Sequence, residues 1–327
     1  MVKAIVCQQH GGLDTLKLQD INIGTPGPGQ VHIRVRATGI NFPDTLQIAG
    51  TYQTKTYPPF VPGQEVAGDV IACGEGVDRF LPNDRVFAAT GIGGYAEEVV
   101  VNAEWVTKMS DAMDYVTGAG FAITYGTSHL ALKYRAGLQP GENLLVTGAA
   151  GGVGVTALEV GTLLGARVIA AARGQQKLAM ARELGADETV DYEAEDMRVR
   201  VKELTGGHGA DEIYDPVGGD VFDSCMRCIN WEGRILIIGF ASGRIPTAKM
   251  NIVLVKNIAL LGFAWSTYRT YKPEVFQESY AELLRWYDEG KLRCYVSKTY
   301  ALEDAAQALE ERIARKTTGK VVLVTDG

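Results

Sequence analysis

The sequence has no hydrophobic run of about 18 residues, the length that a membrane-spanning helix needs, and we therefore expect no transmembrane segment. It also lacks an excess of basic residues, because 32 Lys and Arg stand against 39 Asp and Glu and give a formal net charge of −7. An acidic surface offers no counter-charge to a nucleic acid or an anionic membrane, so neither is an expected partner. Residues 1–7 are typical of a strand and lack the charged and then apolar layout of a secretory signal.

Cysteine is scarce as well, and the five cysteines are odd in number and scattered through the chain. This pattern indicates reduced thiols and predicts a cytoplasmic protein. Cys225 and Cys228 form a Cys-x-x-Cys pair, but no second pair accompanies them and residues 221–229 are typical of a helix. We expect neither a zinc nor a redox role there.

The length of 327 residues predicts two domains, at about 150 residues each. Up to about residue 105 the chain reads as short strands separated by Gly and Pro turns, and residues 31–37 alternate apolar and polar side chains with period two. This pattern indicates a small β-rich, barrel-like domain. After about residue 114, strands alternate with helices through residue 239, which predicts a doubly wound parallel sheet.

The last segment differs again, with a helix predicted at 273–289 and strands at 296–300 and 320–324. A lone final strand needs a sheet to join, and we expect it to pack back onto the N-terminal domain. The strand predicted at 257–263 would be an exposed apolar sheet edge, so pairing with its copy in a homodimer is expected.

The most informative stretch is residues 144–154, in which an apolar strand meets a glycine-rich turn and the start of a helix. Ala149 replaces the first glycine of the usual dinucleotide motif, whereas Gly151 and Gly154 keep their positions. A strand at 166–171, a helix and another strand follow in the order of a βαβ unit. The turn is therefore predicted to hold a dinucleotide pyrophosphate at the helix N-terminus, the alternative being a turn that binds nothing.

The end of the second strand of this unit indicates which dinucleotide is bound. The sequence there is Ala-Ala-Ala-Arg, so no carboxylate is available for the ribose hydroxyls of NAD, and Arg173 is the first polar residue. A guanidinium suits a 2′-phosphate, to which Lys177 and Tyr192 could also contribute. We therefore predict NADPH as the cofactor, although Arg173 and Lys177 could instead be ordinary solvated residues.

Five motifs carry a family resemblance, at residues 39–44, 62–68, 148–154, 215–219 and 319–323. In these the sequence resembles the zinc-free NADPH quinone oxidoreductases, related to zeta-crystallin, of the medium-chain dehydrogenase/reductase superfamily. The resemblance implies an α/β protein with two domains. A GroES-like β-rich catalytic domain would cover residues 1–120, completed by 266–327, and a Rossmann NADPH-binding domain with a doubly wound parallel sheet would cover 121–265.

Comparison with the zinc-dependent alcohol dehydrogenases of the same superfamily predicts that the metal is absent. Matched motif to motif, their Cys, His and Cys ligands fall on Asn41, Gln64 and Ala119. Two amides and a methyl group do not hold zinc, so no Lewis acid is expected to polarise an alcohol or aldehyde. Acceptors that need no metal are already electron-poor, such as quinones and conjugated enones.

The resemblance also implies site residues. Asn41 and Tyr52 are expected to donate hydrogen bonds to an acceptor carbonyl oxygen, and Tyr52 or Tyr125 could supply a proton. The acceptor pocket would be walled by Asn41, Asp44, Tyr52, Thr124, Tyr125 and Thr127. The cofactor would contact Gly151, Gly152, Val153, Gly154, Arg173, Lys177, Tyr192, Val217, Phe240, Phe263, Ala264, Trp265 and Lys320. Open alternatives are a solvated loop position for Tyr52, a backbone-bonded helix position for Thr124, and core positions for Phe240 and Trp265.

The resemblance implies a zinc-independent oxidoreductase that transfers hydride or electrons from NADPH to a quinone. An ene-reductase of α,β-unsaturated ketones or enoyl thioesters would use the same cofactor geometry, and Arg244, Lys249, Arg269 and Lys272 could then bind a coenzyme A phosphate. A third interpretation is a protein that binds NADPH without turnover. The sequence does not specify the physiological acceptor, or whether its reduction proceeds by one or two electrons.

Overall fold

The computed structural model describes residues 1–325, which form two compact units. Unit 1 comprises Met1–Ile123 together with the described residues from Cys294 onward, and unit 2 comprises Thr124–Arg293. The sequence predicts this second division at 265/266, whereas the structure has it at 293/294. The later boundary has a physical reason, because the helix Pro273–Asp288 places Ser279 and Glu282 on His129 inside unit 2.

The N-terminal part of unit 1 is mostly β-structure, as its short alternating segments predict. Its strands are β1 (Val2–Cys7), β2 (Leu16–Ile21), β3 (Gln30–Ile40), β4 (Glu65–Cys73), β5 (Arg85–Ala89), β6 (Glu98–Asn102) and β7 (Val106–Lys108). One short helix, α1 (Phe42–Ile48), follows β3, and single 3₁₀ turns cover Leu13–Thr15 and Ala103–Trp105. Helix α2 (Tyr115–His129) comes next, extended by a π-helical segment at Leu130–Ala136, and the division between the units falls within α2.

Unit 2 alternates strands with helices. Its strands are β8 (Asn143–Thr147), β9 (Arg167–Ala172), β10 (Glu188–Asp191), β11 (Ala210–Asp215), β12 (Ile229–Ile237) and β13 (Ala259–Gly262). Its helices are α3 (Gly152–Leu163), α4 (Gln175–Glu183), α5 (Met197–Leu204), α6 (Gly219–Cys228), α7 (Met250–Lys256), α8 (Trp265–Tyr271) and α9 (Pro273–Asp288). The strands pair in parallel in the order β10-β9-β8-β11-β12-β13. This topology confirms the expected doubly wound sheet.

The chain then completes unit 1 with β14 (Val296–Ala301), a 3₁₀ turn at Leu302–Asp304, α10 (Ala305–Ile313) and β15 (Lys320–Val324). Strand β15 pairs antiparallel with β3, which confirms that the final strand joins the N-terminal sheet. The sheet order is β14-β15-β3-β4-β5-β7, and β6 pairs with β3 as well.

Packing explains the period-two pattern of β3. Val31, Ile33 and Val35 are fully buried and pack against Val66 of β4 and Val86 of β5. Burying each such side chain contributes about 1.5–3 kcal/mol, which holds β3 in register at the centre of its sheet. Within residues 1–325, no helix is long and apolar enough to span a bilayer.

Candidate functional site

The glycine-rich turn of unit 2 joins β8 to α3. Gly151 is the extended N-cap residue of α3, and its N–H donates to the Gly148 carbonyl at 2.9 Å. The N–H of Ala149 donates to Ala171 of β9 at 3.1 Å, which ties the turn to the neighbouring strand. The first N–H groups of a helix lack intrahelical acceptors, and Gly152, Val153 and Gly154 lie in this first turn. The arrangement is suited to binding an anion.

Two glycines of this turn have no room for a side chain. A Cβ at Gly154 would lie 2.3 Å from the Gly148 carbonyl oxygen. Gly148 has a φ of +56°, and a Cβ there would lie 2.8 Å from Val217 Cγ2. The close approach of helix and turn therefore requires glycine at 148 and 154, whereas Ala149 fits in a fully buried position.

Arg173 and Tyr192 meet at the carboxyl ends of β9 and β10. The exposed guanidinium of Arg173 lies over the Tyr192 ring, 5.5 Å from its centroid. Lys177 lies in the first turn of α4, half-buried. The structure thus brings together two of the three predicted phosphate ligands and places the third on the adjoining helix.

Asp191, which is not among the residues predicted for the site, supports the backbone next to Arg173. Its carboxylate accepts from Gly174 N at 3.2 Å and Gln175 Nε2 at 3.3 Å, at the start of α4. Gly174 has a φ of +83°, so the turn relies on glycine and on this cap. The available signal in the sequence is an acidic residue at the end of a short, mostly apolar segment.

The remaining predicted cofactor residues of unit 2 differ in their surroundings. Val217 donates its N–H to Asp215 at 3.0 Å and lies against the glycine-rich turn. Phe240 is half-buried beside Gly218. Phe263 lies 5.3 Å from the Tyr268 ring, and Ala264 is the exposed N-cap of α8.

Trp265 is a packing residue of unit 2. It is 8% exposed, and its ring lies 5.3 Å from that of Phe276 in α9. A Cβ on Gly126 would come within 2.5 Å of Trp265 Nε1, so the indole packs tightly on α2. This geometry favours the core interpretation of Trp265.

The three predicted pocket residues of α2, Thr124, Tyr125 and Thr127, are all buried. The Tyr125 hydroxyl donates to the Glu159 carboxylate, which also accepts from Arg293 N at 2.7 Å. Burial raises the pKa of Glu159. Because the Tyr125 hydroxyl is engaged inside unit 2, the geometry does not favour it as a proton donor to an acceptor.

In unit 1, Asn41 and Asp44 lie at the start of α1. The Asp44 carboxyl is fully buried, and its Oδ2 accepts from Asn41 N at 2.7 Å and from the Tyr95 hydroxyl at 2.8 Å. Its Oδ1 has no hydrogen-bond partner among the described residues. Burial raises the pKa of Asp44 from 3.8 to about 7, against the opposing effect of these hydrogen bonds.

A second buried cluster joins α1, β4 and β15. Lys320 Nζ donates to Asn41 Oδ1 at 2.7 Å and forms an ion pair with Glu65 Oε1. Asn41 Nδ2 donates to Glu65 Oε1 at 2.8 Å and to the Gly39 carbonyl at 3.3 Å. Burial lowers the pKa of Lys320, and the Glu65 carboxylate opposes that shift.

This cluster bears on the hydrogen bond that Asn41 is expected to donate to an acceptor carbonyl. An amide nitrogen carries two hydrogens, and in Asn41 both are engaged within unit 1. A hydrogen bond from Asn41 to an acceptor carbonyl would therefore have to replace one of these two. Lys320, expected on the cofactor side, is 5% exposed and bonded to Asn41 and Glu65.

The positions that match zinc ligands in the related dehydrogenases carry no metal-binding set. Within residues 1–325, no three or more His, Cys, Asp or Glu side chains are grouped so as to hold a metal ion. Asn41 is hydrogen-bonded as described, and Ala119 is fully buried. Gln64 lies directly before β4, with its amide nitrogen buried.

Tyr52 lies in the loop after α1, half-buried. Burial raises the pKa of Tyr52, and the nearby Asp44 carboxylate adds to the effect. The ring lines a cavity of about 210 Å³ in unit 1, together with residues that include His10, Gln47 and Tyr57. Tyr52 is therefore half-buried at a cavity rather than fully exposed to solvent.

Comparison with known proteins identifies similar chains over nearly the whole length. The model described as "Zinc-binding dehydrogenase" matches residues 152–287, and "Alcohol dehydrogenase GroES-like domain" matches 27–111. A quinone oxidoreductase-like protein 2 homolog from Nematostella vectensis is 40% identical, covering 99% of this chain and 89% of the relative. A 2-haloacrylate reductase from Burkholderia sp is 32% identical over 99% of each chain. The crystal structure of Escherichia coli quinone oxidoreductase complexed with NADPH matches with a TM-score of 0.93 and 28% identity, over 98% of this chain and 99% of the other.

The raised pKa of Asp44 predicts a specific pH dependence of stability. Between pH 3.8 and about 7 the folded protein keeps a proton on Asp44 that the unfolded chain has lost. The stability that this proton contributes is therefore fully present below pH 3.8, the pKa of the unfolded chain. It is lost as the pH rises through about 7, the pKa of Asp44 in the folded protein. Asp44→Asn, which keeps a neutral group of the same shape, should make the free energy of unfolding less dependent on pH across this window.

Urea denaturation at a series of pH values measures this difference. Asp20→Asn, at an exposed position of β2, is the control and should keep the wild-type pH dependence. An unchanged pH dependence in Asp44→Asn would contradict the raised pKa.

Proposed function

The chain belongs to the zinc-free quinone oxidoreductase family of the medium-chain dehydrogenase/reductase superfamily, and from this we propose that it transfers reducing equivalents from NADPH to a quinone. The proposal rests on two features of the chain taken together, one in each unit. Unit 2 has a glycine-rich turn with no room for a Cβ at Gly154, whereas unit 1 has Asn41, Gln64 and Ala119 in place of metal ligands. We also propose a cytoplasmic location, which the five free thiols favour.

The residues of unit 2 fit an NADPH molecule. The N–H groups of Gly152, Val153 and Gly154 would hold the pyrophosphate, because the first residues of α3 lack intrahelical acceptors, and Gly151 would contact it as the N-cap residue of the same turn. Arg173, Lys177 and Tyr192 would bind the 2′-phosphate, and Asp191 would hold the turn that carries Arg173. Val217, Phe240, Phe263 and Ala264 would line the rest of the cofactor, whereas Trp265 packs on Phe276 of α9. The bound nicotinamide supplies the hydride, and the protein supplies binding and orientation.

On the acceptor side we propose roles for Tyr52, Asp44, Thr124 and Thr127. The Tyr52 hydroxyl is a hydrogen-bond donor on a cavity wall, and burial together with the Asp44 carboxylate keeps it protonated by raising its pKa. Asp44 supports the start of α1 through its bond to Asn41 N. A quinone needs no metal ion for its reduction because it is already electron-poor.

A second candidate is an ene-reductase, favoured by the 32% identity to a 2-haloacrylate reductase. A conjugated double bond would take the place of the quinone beside the same cofactor. A coenzyme A thioester has less support as the substrate of such an ene-reductase. Arg244, one of the residues expected to bind its phosphate, already pairs with Asp220 at 2.9 Å and with Asp223 at 2.6 Å. Binding of NADPH without turnover is the third possibility.

We also propose a homodimer formed through β13. This strand ends the six-stranded sheet of unit 2, so its outer edge has no neighbour within the described chain. Exposed apolar side chains occur on the preceding α7 and in the segment just before it. They are Ile245, Met250, Leu254 and Val255, which are 66–75% exposed. An unpaired edge next to such a patch is typical of a protein interface.

We expect the purified protein to oxidise NADPH faster with an ortho-quinone than with an α,β-unsaturated ketone, and a metal chelator to leave the rate unchanged. The loss of NADPH absorbance is followed with each acceptor and without acceptor. Turnover with the enone alone would favour the ene-reductase. Binding of NADPH without oxidation by either acceptor would favour the non-catalytic interpretation.

Arg173→Ala should raise the Kd for NADPH about 10- to 100-fold, because a hydrogen bond to a charged group contributes about 1.5–3 kcal/mol. The Kd for NADH, which has no 2′-phosphate, should change little. Calorimetric titration with both cofactors measures the difference. Arg198→Ala, at an exposed position of α5, is the control. Equal losses for both cofactors would contradict the phosphate assignment.

Leu254→Glu should shift the proposed dimer toward monomer, because burying an unpaired carboxylate in an interface costs several kcal/mol, in the range of about 3–5. Leu254 is 75% exposed in the single chain. Size-exclusion chromatography with light scattering reports the mass. Ile313→Glu, at an apolar position of α10 that is 53% exposed, should leave the mass unchanged. A monomeric wild type would contradict this interface.

A further inference from the structure

Gln64 has an amide nitrogen that is buried and finds no hydrogen-bond partner among the described residues. Its main chain is firmly held, because the Gln64 carbonyl accepts from Thr90 N at 2.7 Å, and the Thr90 hydroxyl donates to the Gly63 carbonyl at 2.8 Å. The backbone of Gln64 is therefore held in place by hydrogen bonds, and its side chain ends in an unpaired donor.

Such a donor is costly in a protein interior. Leaving a buried polar group unpaired costs about 1–3 kcal/mol, and most buried amides in folded proteins are paired. Gln64 follows Gly63, whose φ of +95° admits the turn into β4. An acceptor atom of a bound molecule would offset this cost.

The neighbouring polar groups already have partners. Asn41 uses both amide hydrogens, on Glu65 and on Gly39. Glu65 Oε1 accepts from Asn41 and Lys320, and its Oε2 accepts from Ile123 N at 2.9 Å. Two of the three ammonium hydrogens of Lys320 are engaged on Asn41 and Glu65. Of the two amides at positions that match metal ligands, Gln64 is the one whose N–H groups have no acceptor among the described residues.

We propose that Gln64 Nε2 donates a hydrogen bond to the carbonyl oxygen of the quinone, at the position where zinc-dependent relatives use a histidine to hold their metal ion. This proposal rests on the proposed function. As the quinone takes up electrons from NADPH, its carbonyl oxygen gains negative charge, and solvent later supplies the proton. Gln64 gives a hydrogen bond and no proton. A preorganised donor of this kind stabilises the developing charge.

The Lys320, Glu65 and Asn41 cluster then has a positioning role. It neutralises the carboxylate that follows Gln64 directly in the chain, so that no unpaired negative charge faces the developing oxyanion. Asn41 contributes by bridging the ammonium and the carboxylate rather than by contacting the acceptor.

Gln64→Met tests the proposal because it removes the N–H groups and keeps a similar length. Loss of one such donor should lower kcat with the quinone about 100-fold. The Kd for NADPH should stay the same, and the Tm should stay the same or rise, because an unpaired buried amide is removed. Gln64→His, which retains a ring N–H, should recover much of the lost rate. Gln9→Met, at an exposed position, is the control.

The outcomes separate the two proposals. A wild type that does not oxidise NADPH with any quinone overturns the proposed function, and this assignment with it. A wild type that turns over while Gln64→Met matches it within about twofold overturns the role of Gln64 alone. A Gln64→Met variant that loses rate together with Tm or NADPH affinity also overturns it, because a merely structural residue behaves in that way.

Discussion

Lys320 and Glu65 form an ion pair with almost no access to water, between side chains 255 positions apart in the chain. Each charge would be expensive to bury alone, so the last strand and β4 depend on each other. Asn41 bridges the pair and thereby ties the start of α1 to it. The same contacts leave Gln64 as the amide with free donors. The candidate acceptor site of unit 1 thus depends on an interaction that closes only when β15 pairs with β3.

In unit 2 the proposed recognition of phosphate relies mainly on backbone groups. The turn between β8 and α3 holds unpaired N–H groups near where an anion would lie, and Gly154 permits this because its missing Cβ would meet the Gly148 carbonyl. Side chains enter where charge is needed, at Arg173 on the end of β9. Asp191 caps the adjoining turn from the next strand. Backbone geometry and charge therefore come from neighbouring carboxyl ends of one sheet.

Local patterns were sufficient for most of the fold. The period-two alternation of β3 and the apolar strand before the glycine turn are short-range signals, and both elements lie where they were expected. Helix α1 was not expected, because it has only seven residues and depends on the Asp44 carboxyl bonding to Asn41 N. The end of unit 2 also differed, since Ser279 and Glu282 in α9 bond to His129, about 150 positions earlier.

The alternation of strands and helices, the glycine turn and the basic residue at the end of β9 follow from the sequence alone, because each depends on residue types at short spacing. The loss of the metal-ligand side chains is also visible in the sequence, once its motifs are matched to those of the zinc-dependent dehydrogenases. Which hydrogen-bond partner each polar side chain has is set only in the folded protein. Tyr125 bonds to Glu159, Asn41 bonds to Glu65 and Lys320, and the amide nitrogen of Gln64 has no partner among the described residues. Hydrogen-bond partners far apart in the chain are set by folding, so a side chain's free donors can be counted only in three dimensions.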